Sequence, residues 1–338
     1  EPHAVASARP QLFASQRAAF TVTEVVAGLQ HPWGLAFLPG GDMLVTERPG
    51  RLRRIGRDGS VSAPIAGVPR VFAEGQAGLL DVALSPGFAS DGLVYLAYAE
   101  PSLRGNVCGT AVARGRLVGN QLTGVEVVYR QAPKLSAGTH VGARLVFGRD
   151  GNLFVTTGDN RTAPEAAQQL DKLQGKLVRI APDGGIPQGN PFAGRNGARP
   201  EIWSYGHRNM QGAALHPATG RIWTSEHGPM GGDELNIITK GDNYGYPIVS
   251  NGDHYDGRPI PDHDTAPQYH APRVSWTPVI SPSSMIFYSG ALFPQWQGRA
   301  LIGGLSSESL VVVKFEGDNA AREETRYNMG ERIREVEQ

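Results

Sequence analysis

Residues 202–234 read IWSYGHRNMQGAALHPATGRIWTSEHGPMGGDE and contain the pattern on which the fold depends. Within them, the run GAALHP is followed by three turn residues and then by RIWTS. Two apolar runs separated by a short turn predict adjacent antiparallel strands. The polar clusters GHRN and EHGPMGGDE stand at the outer ends of this pair. The segment therefore predicts a hairpin that presents a guanidinium and a Gly- and Pro-rich acidic loop near one face, which suits an anionic ligand together with a metal ion.

The same strand, turn, strand and polar tip recur along the chain. The copies begin at Trp33, Leu79, Ala143, Gly212, more loosely at Ser283, and at Glu331. Six copies leave about 56 residues each, enough for a four-stranded blade plus insertions. Since radial repetition buries both faces of many small antiparallel sheets, we predict an all-β, six-bladed β-propeller with four-stranded antiparallel blades. A pair of β-sandwiches is the alternative, and residues 164–176 are the one predicted helical segment.

The repeats predict a single propeller domain over residues 20–338, preceded by an N-terminal extension of residues 1–19. The sixth copy stops at Gln338, before the turn and the second strand that the other copies carry. The last blade is therefore predicted to be incomplete. Because closing a ring requires the two ends of the chain to pair, residues 20–29 are predicted to supply one of its strands.

The composition excludes several classes of partner. The chain of 338 residues contains 44 Gly and 25 Pro, with 19% charged residues, which is typical of a turn-rich globular protein. Its formal net charge is zero, so no broad electrostatic footprint for nucleic acid is present. No apolar run approaches the length of a membrane span. The single cysteine, Cys108, is predicted to be a small buried hydrophobe. We therefore expect a small-molecule partner, no nucleic acid and no membrane span.

Arginines at the predicted tips indicate an anionic ligand. In a propeller the equivalent tips emerge on one face around the central channel, so residues far apart in sequence converge there. Arg208, Arg332 and Arg334 carry forked donors suited to carboxylates. Alternation along a strand places Arg332 and Arg334 on the same side. A single arginine is usually a solvated surface residue, but three at equivalent tips favour a bound polyanion.

The loop EHGPMGGDE is a candidate calcium site. It lacks the spacing of an EF-hand. Its turns could instead direct the carbonyls of Gly228 and Pro229 onto a hard cation, with carboxylates from Asp233 and Glu234, because Ca²⁺ takes oxygen ligands. A tight turn with solvated acids is the alternative.

A histidine and a carboxylate form a candidate general base. His140 precedes one strand of the third copy, and Asp159 follows the return strand. Across such a hairpin the carboxylate would orient the imidazole, which could then accept a proton near neutral pH. The alternative is a structural histidine that bonds a hydroxyl or a carbonyl.

Seven motifs together resemble a known family. They are HPWGLAFLPGG, GQAGLLDVALSP, HVGARLVFGRDGNLFVTTGD, IWSYGHRNMQG, SEHGPMGGDELNII, KGDNYGYP and RIRE, and they extend from about Val25 to Glu335. In these motifs the chain resembles the soluble pyrroloquinoline-quinone (PQQ)-dependent aldose sugar dehydrogenases of the glucose/sorbosone dehydrogenase family. The loops are shorter than those of the glucose-specific dimeric members.

The resemblance implies a role for each matching residue. It implies a catalytic base with its orienting carboxylate and an arginine at the quinone, namely His140, Asp159 and Arg208. The residues implied to contact PQQ are Gln76, His140, Arg208, Asn209, Tyr255, Arg332 and Arg334, with Ser306 at the position where many members carry a lysine. The carbonyls of Gly228 and Pro229 are implied to hold the Ca²⁺ at the cofactor, and Glu234 and Tyr244 a second, structural Ca²⁺ found in some members.

The implied activity is the oxidation of the anomeric carbon of an aldose to a lactone by hydride transfer to the quinone, with an external electron acceptor. The resemblance also implies a periplasmic or secreted protein, and the shorter loops favour a monomer. Two alternatives remain. One is a calcium-dependent lactonase on a six-bladed propeller, which would not need carboxylate-binding arginines, and the other is a propeller that binds a partner without catalysis.

Overall fold

The computed structural model describes residues 11–14 and 19–338, and antiparallel sheets dominate these residues. A separate pair consists of β1 (Gln11–Ala14) and β2 (Ala19–Val22). The first two blades are β3 (Pro32–Phe37), β4 (Met43–Glu47) and β5 (Arg51–Ile55), then β6 (Leu79–Leu84), β7 (Leu93–Pro101), β8 (Cys108–Val118) and β9 (Gln121–Arg130). The third and fourth are β10 (Leu145–Phe147), β11 (Leu153–Thr156), β12 (Lys176–Ile180) and β13 (Ile202–Tyr205), then β14 (Met210–Leu215), β15 (Ile222–Glu226), β16 (Asp233–Ile237) and β17 (Val274–Trp276). The fifth is β18 (Pro282–Phe287), β19 (Ala300–Gly304), β20 (Ser309–Glu316) and β21 (Ala320–Asn328).

Helical structure in the described residues is short. It comprises α1 (Phe88–Asp91) and the 3₁₀ turns Pro164–Gln168, His263–Thr265 and Pro294–Trp296. The helix predicted at residues 164–176 is thus reduced to one 3₁₀ turn. No helix among the described residues has the length and apolar character needed to cross a membrane.

The blades are arranged radially. The first strand of each blade contacts the first strand of the next, in the series β3, β6, β10, β14 and β18. These five strands line the hub, and the later strands of each blade lie farther out. Blades cover both faces of their neighbours, so β11, β15 and β18 are buried at every position, whereas the outermost strand β21 is exposed or half-buried at all positions but one. Cys108 is buried in the core between blades.

The fold is an all-β propeller, but the prediction of six four-stranded blades is wrong. The described residues form five blades, the first with three strands and the others with four. The segment taken for a sixth copy, residues 331–338, contains no strand. It lies along β18, where Ser283 Oγ donates to the Ile333 carbonyl (2.7 Å) and the Val336 amide donates to Ser284 Oγ (2.6 Å). These bonds join the segment to β18 through serine side chains and not through a strand ladder.

The N-terminal predictions have mixed outcomes. Residues 1–10 and 15–18 of the proposed extension lie outside the described residues. Strand β2 pairs with β1, and residues 23–29 form no strand in any blade. The single domain over residues 20–338 stays a prediction.

Threonine hydroxyls join successive blades. Thr46 donates to the Leu80 carbonyl, Thr110 to the Val141 carbonyl, and Thr156 to the Met210 carbonyl. All three threonines are buried, and a buried hydroxyl is stabilising only when it is hydrogen-bonded. Each bond crosses from one blade to the first strand of the next blade, or to the segment just before that strand, so the series fixes the spacing of the hub strands.

A buried arginine connects the centre of the ring. Arg144, immediately before β10, donates to Asp81 of blade 2 (3.1 Å), to the Gln211 carbonyl of blade 4 (2.7 Å) and to Glu335 beside blade 5 (2.7 Å). Its guanidinium also lies 4.4 Å from the centre of the Trp33 ring in blade 1. The pKa of Arg144 is raised, since the two carboxylates outweigh the opposing effect of burial. One side chain thus ties together elements of all five blades.

Replacing this arginine should destabilise the whole ring. We expect Arg144→Met to lower the free energy of unfolding by about 3–5 kcal/mol near pH 8, because two buried carboxylates lose their counter-ion. Without the cation their folded-state pKa values lie further above the unfolded values. The loss is therefore smaller at pH 5, where the carboxylates are more readily protonated.

Urea unfolding at the two pH values measures both effects. Arg149→Met removes an exposed arginine whose guanidinium bonds only the Pro217 carbonyl among the described residues. It should change stability by less than about 1 kcal/mol. Equal losses in the two variants would contradict the central role of Arg144.

Candidate functional site

A pit of about 410 Å³ opens at the hub, on the face where the polar tips emerge. Its wall is built from the segments that lead into or out of the inner strands. The lining residues are His31, Pro32, Trp33, Arg48, Gly75, Gln76, His140, Arg208, Asn209, Gln211, His227, Tyr255, Ser281, Leu305, Arg332 and Arg334. The structure thus brings together seven of the eight predicted cofactor-binding residues, His140 among them.

His140 and Asp159 meet across the hairpin of blade 3. Their Nδ1 and Oδ1 atoms are 2.7 Å apart, and the two side chains are 8% and 1% exposed. An ionised carboxylate can only accept, so the imidazole carries its proton on Nδ1 and leaves the Nε2 lone pair free. A base of this kind, oriented by a buried carboxylate and set in a pit wall, is suited to removing a proton from a bound hydroxyl.

The backbone around this pair is held in left-handed conformations. The φ angles of His140, Asn160 and Arg161 are 47°, 61° and 59°. Such angles are unfavourable for side-chain-bearing residues and persist only where neighbouring bonds impose them. Here Gln76 Oε1 accepts from the His140 amide (3.1 Å), and Asn160 Nδ2 donates to the His140 carbonyl (3.1 Å). Gln76 therefore positions the base as well as lining the pit.

Arg208 lies beside this pair in the pit wall, where its carbonyl accepts from the Asp159 amide (2.8 Å), and it is 4% exposed. Its Nη1 donates to the carbonyls of His227 (3.1 Å) and Gly228 (2.8 Å), and its Nη2 to the Tyr255 hydroxyl (3.3 Å). Its Nε is buried and has no protein acceptor among the described residues. An unpaired buried donor is costly, so this atom is available to a ligand.

Four arginines give the pit a positive potential. Arg48, Arg208, Arg332 and Arg334 all line it, and none forms an ion pair with a carboxylate of the described residues. Burial, followed by repulsion from Arg332, Arg144 and Arg48, lowers the pKa of Arg334 to about 10. Arg334 Nη1 donates to Gln211 Oε1 (3.1 Å). Cations held together in this way favour a ligand with several negative charges.

Neutral groups complete the wall. Asn209 Oδ1 accepts from the Gly142 amide (3.1 Å), which fixes the side chain beside Arg208. His227 Nε2 donates to the Pro282 carbonyl (2.7 Å), and burial lowers the His227 pKa to about 3. His227 is therefore neutral at physiological pH and adds no positive charge to the pit.

Tyr246 lies behind the pit wall. Its ring centre is 6.0 Å from the guanidinium carbon of Arg208. Burial raises the pKa of Tyr246 to about 12, and the nearby Asp159 carboxylate contributes. The Tyr246 phenol therefore stays protonated beside Arg208 and Asp159.

The predicted metal loop provides carbonyls rather than a carboxylate cluster. The Gly228 carbonyl accepts from Arg208, and Pro229 follows it. Asp233 lies under the loop, where its carboxylate accepts from the amides of Gly228 (2.8 Å), Ile280 (2.9 Å) and Ser281 (2.8 Å). Burial raises the Asp233 pKa to about 6. In the described residues no group of three or more His, Cys, Asp or Glu side chains could hold a metal ion.

Six predicted site residues lie outside the pit lining: Asp159, Gly228, Pro229, Glu234, Tyr244 and Ser306. Glu234 bonds His263 (3.3 Å) and Asn236 (2.9 Å), while the Tyr244 hydroxyl donates to the Ile237 carbonyl (2.6 Å). Both side chains are thus engaged within blade 4, and the second metal site stays a prediction. Ser306 Oγ lies 2.7 Å from Ser281 Oγ of the pit wall. Tyr255, which does line the pit, is 62% exposed at its mouth.

Arg48, His227, Gln211 and Tyr246 were not predicted from the sequence. Arg48 belongs to the tip TERPG of the first copy, so equivalence of the tips was a signal that could have found it. No comparable signal marks Gln211 or Tyr246, because their positions depend on the packing of neighbouring blades.

Fold and site define a class: a β-propeller whose hub carries a cationic pit with a histidine oriented by a buried carboxylate. Residues 29–338 match the sequence profile of the Glucose / Sorbosone dehydrogenase family. The aldose sugar dehydrogenase YliI of Escherichia coli is 46% identical over 314 residues, which cover 91% of this chain and 84% of that protein. The chain therefore belongs to the glucose/sorbosone dehydrogenase family, and the resemblance inferred from the motifs is confirmed.

Solved structures agree. A crystal structure of glucose dehydrogenase gives a TM-score of 0.87 at 49% identity, with 91% of this chain and 90% of that one covered. The PQQ-bound form of the aldose sugar dehydrogenase from Streptomyces coelicolor gives 0.72 at 32% identity, with 93% and 85% covered. The protein is thus an oxidoreductase that acts on sugars.

Gly158 packs against the His140 backbone across the hairpin of blade 3, and this contact leaves no room for a side chain at Gly158. A Cβ there would overlap the His140 carbonyl. We expect Gly158→Ala to displace His140 and to lower sugar-dependent reduction of an artificial acceptor by about 100-fold, since small misplacements of catalytic groups have effects of this size.

Gly185→Ala is the matched control. Gly185 is exposed, and the nearest atom to its added Cβ is a flexible carboxylate oxygen of Asp183 at 3.2 Å. Its activity should equal that of the parent. Parental activity in Gly158→Ala would show that His140 does not need this close approach.

Proposed function

We propose that the protein is a PQQ- and Ca²⁺-dependent dehydrogenase that oxidises the anomeric carbon of aldose sugars to lactones. One observation carries the proposal: the oriented base His140 shares a pit with four arginines that no carboxylate of the described residues neutralises. The PQQ-bound relative supports the choice of cofactor.

The chemistry of the pit fits PQQ. The cofactor has three carboxylates, which match forked guanidinium donors, and the buried Nε of Arg208 lacks a protein acceptor. Arg332 and Arg334 would bind carboxylates, while Gln76, Asn209 and Tyr255 would fix the ring. When bound, the ortho-quinone accepts a hydride, that is, two electrons and a proton. Ser306 offers a hydroxyl where many members of the family carry a lysine, so one cation fewer would face the cofactor.

The protein's own groups would handle the proton. His140 Nε2 would remove the proton from the anomeric hydroxyl while the C1 hydrogen leaves with its electron pair. Asp159 would stabilise the imidazolium that results, since their 2.7 Å contact then joins opposite charges. Arg208 would stabilise negative charge that develops on the acceptor oxygen. The sugar leaves as the lactone, and an external acceptor then takes the two electrons.

Calcium binding would depend on the cofactor. The carbonyls of Gly228 and Pro229 are neutral, and the Arg208 guanidinium bonds one of them. These groups alone provide little negative charge for a divalent cation, which prefers several oxygen ligands. The carboxylates of PQQ would supply that charge. Bound Ca²⁺ would polarise the quinone oxygen. A second site at Glu234 and Tyr244, a periplasmic or secreted location and a monomeric state belong to the same proposal.

Two measurements on purified protein test this function. Addition of PQQ and CaCl₂ to the cofactor-free protein should start aldose-dependent reduction of an artificial dye. In His140→Ala the rate should fall by about 10²–10⁴-fold, because a general base contributes that much. PQQ binding, followed by its absorbance, should change only a few-fold.

His254→Ala is the control, because His254 lies in a loop and does not line the pit. It should retain parental activity. Dye reduction at the parental rate in His140→Ala would contradict the assignment of the base. Lactone hydrolysis without added quinone would favour a lactonase instead, and failure of both reactions would favour a binding propeller.

A further inference from the structure

A second large depression lies on blade 2. It encloses about 730 Å³, and we call it the blade 2 groove; its lining includes Pro69, Arg70, Tyr98, Glu100, Pro101, Leu103, Arg104, Val127, Arg130 and Lys134. None of these residues lines the pit. The base and the arginines of the proposed function lie outside this groove.

The groove opens on the same face of the propeller as the pit. Strand register places Leu79 opposite Tyr98, and Pro101 opposite Cys108. In the same blade Ala111 lies opposite Arg130. These residues therefore share one edge of the sheet. The pit residue Gln76 stands just before Leu79, at that edge.

Two short segments join the groove to the pit. Arg70 precedes Gln76 by six residues, and Lys134 precedes His140 by six. Six residues span at most about 20 Å even when fully extended. The segments also bond each other, since the Gln76 amide donates to the Gly138 carbonyl (2.7 Å). The groove is thus a direct neighbour of the pit.

Positive charge is concentrated in the groove. Arg70, Arg104, Arg130 and Lys134 face a single carboxylate, Glu100. Glu100 pairs with Arg130 (2.8 Å) and Lys134 (3.0 Å). Arg70 and Arg104 are exposed and have no ion pair with a described residue. The whole chain has a formal net charge of zero, so this is a local excess of positive charge.

An apolar group lies beside the cations. Leu103, at the tip of the β7–β8 hairpin, is fully exposed. Tyr98, Val127 and Pro101 contribute to the wall next to it. A small anion would need only the cations. An exposed leucine bordered by arginines suits a surface that binds a protein, because arginine is enriched at such interfaces.

We propose that the blade 2 groove docks an acidic electron-transfer protein that reoxidises the enzyme. This inference rests on the proposed function. Oxidation of one aldose releases two electrons and two protons, and the two electrons leave the reduced cofactor. A one-electron acceptor protein takes them in two successive encounters, and the protons pass to water. In the loaded enzyme the pit arginines would face the cofactor carboxylates, whereas Arg70 and Arg104 of the groove would keep their charge free.

The test compares electron acceptors of opposite charge. Oxidised plastocyanin is an acidic blue-copper protein, mitochondrial cytochrome c is a basic haem protein, and benzoquinone is a small neutral acceptor. With PQQ, Ca²⁺ and saturating glucose at low ionic strength, we expect plastocyanin to react at least 10-fold faster than cytochrome c. Added salt should remove most of this difference, because electrostatic steering is screened.

Charge reversal locates the docking surface. Arg70→Glu combined with Arg104→Glu should lower the second-order rate constant for plastocyanin at least 10-fold. Leu103→Ala alone should raise the KM for plastocyanin without changing its salt dependence. The rate with benzoquinone should stay within two-fold in both variants, since neither touches the pit.

A matched double variant controls for net charge. Arg57→Glu with Arg195→Glu changes the charge by the same amount. Both residues follow strands, β5 and β12, whose ends Ile55 and Ile180 lie at the opposite edge of their blades. This variant should keep plastocyanin rates within two-fold.

The docking site would be overturned by equal losses in the two double variants, or by equal parental rates with plastocyanin and cytochrome c. In either case benzoquinone reduction would still support the proposed dehydrogenase. Absence of benzoquinone reduction in the parent would overturn the proposed function, and the docking proposal with it.

Discussion

The buried guanidinium of Arg144 is the contact on which the arrangement of the hub depends. Through hydrogen bonds to Asp81, the Gln211 carbonyl and Glu335, and through the Trp33 ring, it joins all five blades. A charge removed from water is stable only when its partners are correctly placed. The ring therefore closes in an arrangement that gives Nε and Nη1 of this side chain their partners. Trp33 and Gln211 also line the pit, so the same contacts fix its floor.

Charge is separated along the axis of the ring. Carboxylates lie around Arg144, where burial raises the pKa of Glu335 to about 7. Arg48, Arg332 and Arg334 stand nearby in the pit wall, without carboxylate partners in the described residues. Their mutual repulsion costs stability in the empty pit. An anionic ligand would relieve it, so the same feature that weakens the fold locally prepares the pit for binding.

Local sequence patterns predicted much of the fold. The strand, turn, strand repeats at Trp33, Leu79, Ala143, Gly212 and Ser283 each begin a blade, because apolar runs and turns are local signals. The blade count failed at Glu331, since a single polar segment cannot show whether a partner strand exists. The segment of residues 331–338 instead bonds the side chains of Ser283 and Ser284.

The same contrast holds for the candidate site: local patterns predicted some of its residues, and contacts between blades place the others. His140 and Asp159 were found because they flank one hairpin, and they lie 2.7 Å apart. Arg208 was found because tips converge, whereas Arg332 and Arg334 line the pit although their segment forms no strand. Tyr246 and Gln211 were missed because their places depend on contacts between blades, which no spacing in the chain encodes. The left-handed backbone of His140 was equally invisible, since only the hydrogen bonds around it make that conformation tolerable.

The central claim is that one pit at the hub holds the anionic quinone between the arginines and the base. A crystal structure of the protein grown with PQQ and Ca²⁺ tests it most directly. The account predicts electron density for the cofactor inside the pit, with carboxylates bonded to Arg332 or Arg334 and the quinone beside His140 and Arg208. Density for the cofactor elsewhere on the propeller, or a pit that stays filled with water alone at saturating PQQ, would contradict it.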